Sequence, residues 1–431
     1  MKFDKIDGFV CLADRLFDGH QAREDCCVVV RGSMIEAILP VDRVPSELPS
    51  IEMPGCTILP GLIDCHVHFM RWQGPLFLAG GITTVRDTGN DLDWILARRA
   101  EWPDHDWPRI LCTGPMVDGP RSSWGIGRCC PDLESSVNAV MELASRGVDA
   151  IKLYAQFPRD WLPGVVAAAR DVGLPTCMHP IATDALDAAE AGVDELFHLD
   201  GLMKRLWPGH PPGWLELWGD PNVSGALDRQ REVVDLIAKT GTVITPTLSF
   251  YRSRLGTVGD PELLPECAQS WFSKVFEEPG EDELELWRSA LPSVQGFVGL
   301  LHQRSVPILA GTDVPWALPG RSLWTELSLL SESGLGPVGA LRSATSISAE
   351  QLRLPQAGVL EAGRCADIAF VMGDPTSSIP EEPEIPLIIR GGKVHWTEQL
   401  VTGSREENAN PALDPWGMEL IQRSRALRDG E

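Results

Sequence analysis

Between residues 56 and 350 the chain alternates short β-rich runs with longer helical patterns, and this alternation constrains the fold more than any other feature. The runs are "TILPGLIDCHVHF", "GITTVRDT", "PRILCTGP", "AIKLYA", "PTCMHP", "ELFHL", "TVITPTLS" and "VPILAGTDV". Between them lie stretches with helical spacing such as "VNAVMELASRGVD", "WLPGVVAAARDVG" and "DALDAAEAGVD". A Gly near the end of each is a helix-stop signal. Strand alternating with helix predicts a parallel sheet, and eight such units predict an α/β chain closed into a (β/α)8 barrel. An open doubly wound sheet competes with this, but no Gly-rich nucleotide loop follows the first run.

The flanks carry no helical period. "GFVCLADRLFDG" and "CCVVVRGSMIEAILP" near one end, and "AGRCADIAFVMGDP" and "IPLIIRGGKVHW" near the other, read as short strands broken by turns. We expect one small β-sandwich domain from residues 1–55 and 356–404, a barrel from 56–355 inserted between them, and a helical tail over 405–431. The connection between "ELFHL" and "TVITPTLS" is long, rich in Trp and Pro, and is expected to pack as a lid over the site.

Charge narrows the partners. With 61 acidic against 37 basic residues and a net charge of −24, the chain lacks the clustered cations that nucleic acid requires. No apolar run is long enough to span a bilayer, and the start lacks the apolar core of a secretory signal, so a cytoplasmic protein is expected. The 11 cysteines lack disulfide or zinc-ribbon spacing. Cys65, Cys112 and Cys177 fall in strand-like runs and read as buried reduced thiols. A homo-oligomer is left open.

Side chains two apart on a strand share a face. His66 and His68 would therefore both reach the barrel mouth and share a metal, although H-x-H alone reads equally well as two polar residues at a strand end. Other strand ends add weight. His179 ends "PTCMHP", His198 lies in "ELFHL", Asp313 ends the eighth run and Lys152 sits in the fourth. Barrel enzymes build their sites from the C-terminal strand ends. Of nine histidines, four fall there, which favours a metal site over chance.

The ordered set "LPGLIDCHVHF", "AGGITTVRDTG", "GVDAIKLYA", "HP", "AGVDELFHLDG", "ILAGTDVP", "LRSATSISAEQLRL" and "IIRGGKV" resembles the amidohydrolase superfamily from about residue 50 to 395. Within it, the chain is similar to the two-metal branch of amidases and dipeptidases related to imidazolonepropionase. The resemblance implies a distorted barrel with a β-sandwich built from both termini. It implies that His66, His68 and Asp313 hold one divalent ion, that His179 and His198 hold a second, and that Lys152 is N6-carboxylated and bridges both. Zinc suits imidazole and carboxylate donors best. A carbamate fits Lys152 because a free ammonium beside two dications would be repelled. A metal-bridging hydroxide would attack the carbonyl, with Asp313 as general base and then acid.

The expected activity is hydrolysis of a C–N bond in a small-molecule amide, such as an N-acyl amino acid or dipeptide. A cyclic amidase, a lactam hydrolase or a deaminase of the same superfamily is the alternative, and a non-catalytic barrel scaffold a more distant one. Single-metal deaminases place a Glu three residues after the strand-five histidine, whereas "HPIATD" has none there. The loop "TGPMVDGPRSSWGIGRCCPD" lacks the His-Gly of proline-releasing members and offers Arg121, Trp124 and Arg128 instead. An Arg there is a candidate for a substrate carboxylate. Tyr154 and Tyr251, the only tyrosines, are candidate substrate contacts, and Trp316 with Trp124 a candidate apolar wall.

Overall fold

A computed structural model describes residues 7–207, 218, 227–255, 280–315, 318–406 and 411–429. Its parallel strands follow the expected order. Leu62–Val67, Ile82–Asp87 and Arg109–Cys112 form a three-stranded parallel sheet. A six-stranded sheet joins Arg128–Cys129, Val117–Asp118, Ile151–Leu153, Thr176–Met178, Glu195–Phe197 and Val243–Thr245.

The expected eighth strand takes an irregular form. It is present as two isolated parallel bridges, Ile308 to Ile244 and Val314 to Val67. Backbone hydrogen bonds still tie it to the first strand. Cys65 donates to the Ala310 carbonyl at 3.0 Å, Asp313 to His66 at 2.8 Å and His68 to Val314 at 2.6 Å. At the other break, the Asp149 N–H donates to the Cys112 carbonyl at 2.8 Å. Regular ladders thus give two parallel sheets rather than a single ring. The short strands allow this: the longest, Leu62–Val67 and Ile82–Asp87, have 6 residues before the chain turns into its functional loop.

The helical patterns form where their spacing predicts, at Leu133–Ser145, Leu162–Asp171 and Ala185–Glu190. Gly173 shows why a glycine ends such a helix. At φ +77° it turns the chain so that its own N–H and that of Leu174 reach the carbonyls of Arg170 and Ala169, both at 3.0 Å. Their apolar faces, including Val140, Leu143, Val165 and Ala189, enter one large buried cluster with the parallel strands.

Both termini build a single eight-stranded sheet. Its strand Ser50–Pro60 crosses the boundary expected at residue 55, because Cys56–Pro60 pair antiparallel with Ile368–Met372. Residues from this sheet, including Phe9, Val28, Ile58, Ile368 and Ile389, form their own apolar cluster.

Within the strand interior a guanidinium meets a carboxylate. Arg86 and Glu195 are joined by two bonds of 2.7 and 2.6 Å, both buried. Arg86 Nε also donates to the Cys65 carbonyl at 2.8 Å. Cys65, Cys112 and Cys177 are buried and unpaired, as their sequence settings suggest. Among the described residues no helix is long and apolar enough to cross a membrane.

Most of the 200–225 connection lies outside the described residues. Its Trp207 and Trp218 pack on each other, and Trp218 packs on Phe297 of helix Glu281–Gln303. Neither lines the cavity described below.

Candidate metal centre and its cavity

The four candidate histidines stand at or just past the C-terminal end of a parallel strand, Lys152 is the middle residue of Ile151–Leu153, and Asp313 lies in the irregular eighth segment. His66 is inside Leu62–Val67, and His68 directly follows it. His179 and His198 directly follow Thr176–Met178 and Glu195–Phe197. Where the chain leaves the strands the backbone is strained. His198, Thr247 and Asp313 have φ of +62°, +53° and +57°, a left-handed conformation uncommon for residues with a Cβ. Gly311 admits the close approach of the eighth segment, since a Cβ there would lie 2.8 Å from the Cβ of His66.

These side chains converge on a cavity of about 380 Å³, lined by His66, His68, Lys152, His179, His198 and Asp313 together with Trp124, Tyr154, Phe250, Arg254 and Trp416. Asp313 is the hub. Its Oδ1 lies 3.2 Å from His66 Nε2 and 3.4 Å from His68 Nε2, and its Oδ2 lies 4.0 Å from His198 Nε2. The rings of His198 and His179 have centroids 4.2 Å apart. His179 Nε2 lies 3.0 Å from Asp200 Oδ2, and among the described residues it makes no ion pair with Asp313.

Neighbours fix the rings. His68 Nδ1 lies 3.0 Å from the Gly89 carbonyl, an arrangement that calls for a proton on Nδ1 and leaves Nε2 a free acceptor. His198 Nδ1 lies 2.6 Å from Thr247 Oγ1. Asp64 braces the loop from beneath, accepting from the Thr312 hydroxyl at 2.7 Å and the Thr312 N–H at 3.1 Å.

The electrostatics are those of a cation site. Both ring nitrogens of His66 are buried without a hydrogen-bond partner, because the approach to Asp313 lacks hydrogen-bond alignment. Burial, and then the Lys152 charge, holds His66 well below the usual imidazole range, and burial and then His179 do the same to His198. Burial pushes Asp313 up, but the imidazoles of His66, His68 and His198 outweigh it and hold the carboxylate well below its ordinary value. Burial lowers Lys152 to about 8 against the opposing pull of Cys177 and Asp313. Its Nζ sits 4.1 Å from the centroid of Phe197. Ligand atoms of His66, His198 and Asp313 all fall within 4.8 Å of one another, a spacing one ion can collect.

The substrate contacts expected from sequence divide. Trp124 and Tyr154 line the cavity. Arg121 is exposed and outside it. Arg128 turns outward to pair with Glu142 at 2.8 Å, since helix Leu133–Ser145 offers a carboxylate beside its loop. Tyr251 is buried against Phe250 and Trp287 rather than in the lining. Trp316 lies outside the described residues. Sequence reading missed Phe250, Arg254 and Trp416. The last comes from the C-terminal helix Pro415–Asp429, and its one signal was an apolar pair, Trp416 and Leu420, at helical spacing in a polar tail.

The comparisons with known proteins agree with this architecture. The model of the family described as "Amidohydrolase family" matches residues 57–397. No curated protein matches the chain. Among solved structures, a Xaa-Pro dipeptidase with bound methionine is 21% identical at a TM-score of 0.68, covering 90% of this chain and all of its own. The bottromycin amidohydrolase AH is 19% identical at 0.72, covering 94% of this chain and 92% of its own. An ochratoxinase from A. niger is 17% identical at 0.66, with 91% and 96% covered. At these identities the structures show a shared fold alone. With four-fifths of its length inside the family model, the chain belongs to the amidohydrolase family.

Proposed function

We propose that the chain is a two-metal hydrolase of a C–N bond in a small-molecule amide, such as an N-acyl amino acid or a dipeptide. The observation that carries this is the convergence of His66, His68, His198 and Asp313 under a buried Lys152, with His66 left without a hydrogen bond. In this reading the two parallel sheets are one distorted barrel and the terminal sheet folds into a sandwich. The names of similar structures, a dipeptidase, an amidohydrolase and a molinate hydrolase, accord with it.

The donor set fits divalent zinc. His66, His68 and Asp313 would hold one ion, and His179 and His198 the other, with Lys152 carboxylated as the shared oxygen donor. A lysine lowered to about 8 has more of the neutral amine that carbon dioxide requires. When bound, the ions supply an activated water and a Lewis acid for the carbonyl.

Asp313 does the proton work. As water adds to the carbonyl carbon, its proton passes to Asp313; as the C–N bond breaks, Asp313 returns that proton to the departing amine nitrogen. Arg254 brings a guanidinium to the cavity and takes the carboxylate-binding role expected of Arg121 or Arg128. A reducing, cytoplasmic setting accords with the unpaired, buried cysteines.

The test is metal analysis joined to a substrate panel. Loading with zinc and carbon dioxide should give close to two ions per chain, and N-acyl amino acids, dipeptides and lactams should be assayed for amine release. One ion per chain, or ammonia released from ring amidines in place of amide cleavage, would sink the proposal.

A further inference from the structure

The C-terminal helix Pro415–Asp429 is remote in sequence from the parallel strands that carry the candidate ligands, yet it closes one side of the cavity. Three polar contacts dock it on two loops of the site. The Gly125 N–H donates to Glu419 Oε1 at 3.0 Å, the Arg71 N–H donates to Asp414 Oδ2 at 3.2 Å, and Arg423 donates to the Ser123 carbonyl. Trp416 and Leu420 then join Met70, Met116, Tyr154 and Leu318 in a buried apolar cluster that lies against the site.

Trp416 makes the innermost contact. Its ring centroid lies 4.1 Å from that of His68, and its Nε1–H donates to the same Gly89 carbonyl that His68 Nδ1 approaches. On its other side Trp124 follows, with centroids 4.9 Å apart. The guanidinium of Arg423 lies 3.6 Å from the Trp124 ring centroid and backs that ring. Two indoles, that of Trp416 fixed by the Gly89 carbonyl and that of Trp124 backed by Arg423 of the helix, thus form one aromatic wall beside the candidate metal ligands. The opposite chemistry, the guanidinium of Arg254 and the polar ligand side chains, belongs to the rest of the lining.

We infer that Trp416 is a specificity-determining residue, and that with Trp124 it selects an amide whose acyl group is a flat, apolar ring. Anchored indoles lose little rotational freedom on binding, and aromatic pairs favour offset or edge-to-face geometry, so an aryl acyl group gains more from this wall than an acetyl group. The inference deepens the proposed amide hydrolysis and rests on it for the identity of the bond cleaved. Ring recognition itself does not depend on turnover.

The experiment therefore separates the two. Metal-free wild type, Trp416→Leu and Trp416→Phe are titrated calorimetrically with N-benzoyl and N-acetyl forms of the same amino acids. The zinc-loaded forms are assayed for kcat/KM on the same compounds, with zinc content measured. Wild type should prefer the benzoyl series. Trp416→Leu should reduce the benzoyl-to-acetyl ratio, in binding and in kcat/KM, by roughly tenfold. Trp416→Phe, which keeps a ring and loses the Gly89 hydrogen bond, should keep most of the ratio. If wild type binds both series equally, or both variants weaken the two series to the same extent, the helix is only a structural prop and the inference is overturned. If the benzoyl preference in binding depends on Trp416 while no amide is cleaved, the inference stands and the proposed hydrolysis falls.

Discussion

His66 Nε2 and Asp313 Oδ1 stand 3.2 Å apart, yet the imidazole nitrogen has no aligned hydrogen bond. Buried polar atoms are almost always satisfied, so a nitrogen left in this state points to a ligand as its partner. Asp313 has two oxygens and three imidazoles around it. It can hold an ion and exchange a proton at the same site. Replacing it by Asn keeps the shape and one oxygen donor but removes the base. We expect Asp313→Asn to retain zinc near the wild-type level and to lose roughly 10²–10⁴-fold in kcat. Turnover at the wild-type rate would remove Asp313 from the proton transfer.

Lys152 is 1% exposed and, among the described residues, makes no ion pair. An isolated buried ammonium is costly, so a second chemical form of this side chain is favoured. Carboxylation supplies one. Lys152→Ala is expected to bind about one ion fewer and lose activity, and short carboxylates such as formate should restore part of both by filling the vacated space. Full zinc content and rate without added carboxylate would show that the side chain is no ligand.

How far the letters alone could go is visible in these same residues. His66, His68, Lys152, His179, His198 and Asp313 were legible because a strand has a period of two and barrels place chemistry at one end of their strands. Both rules are local. The positions of Arg128, Tyr251 and Trp416 depend on what folds beside them. Arg128 was lost to Glu142, Tyr251 to the core around Trp287, and Trp416 arrives on a helix whose contacts lie about 300 residues away in sequence. The eighth strand was legible as a segment but not as two separate bridges, since pairing depends on its neighbours' register.

Arg86 and Glu195 form a bidentate pair inside the strand array, and Arg86 also holds the Cys65 carbonyl one residue before His66. Removing one partner leaves the other charge buried and alone. Arg86→Met should destabilise the metal-free protein by about 3–5 kcal/mol in denaturant unfolding. Arg86→Met combined with Glu195→Leu should cost less than the single change, because no bare charge remains. A double variant as unstable as the sum of the singles would show that the two residues act independently.

Glu326 is fully buried on helix Arg321–Leu330, where Oε2 accepts from the Ser249 N–H at 2.6 Å and Oε1 has no hydrogen-bond partner. Burial raises it from 4.5 to about 8, against the opposing backbone hydrogen bonds from Ser249 and Leu248. The folded state therefore keeps a proton that the unfolded chain has already lost between these two values. Across that window the unfolded state binds fewer protons, so the contribution of Glu326 to stability falls as pH rises. The loss begins above 4.5 and is complete above about 8. Glu326→Gln keeps an acceptor for Ser249 and carries no charge. Its stability relative to wild type should be nearly equal at the acidic end of the window and higher at the alkaline end, by on the order of 5 kcal/mol. Asp64, which burial raises to about 7, titrates in the same range and its charge adds to the elevation of Glu326, so the removal of that repulsion is part of the difference. Unfolding curves of the two proteins measured from acid to alkaline pH should therefore separate progressively. A constant gap between them would mean that Glu326 does not change its proton in this range.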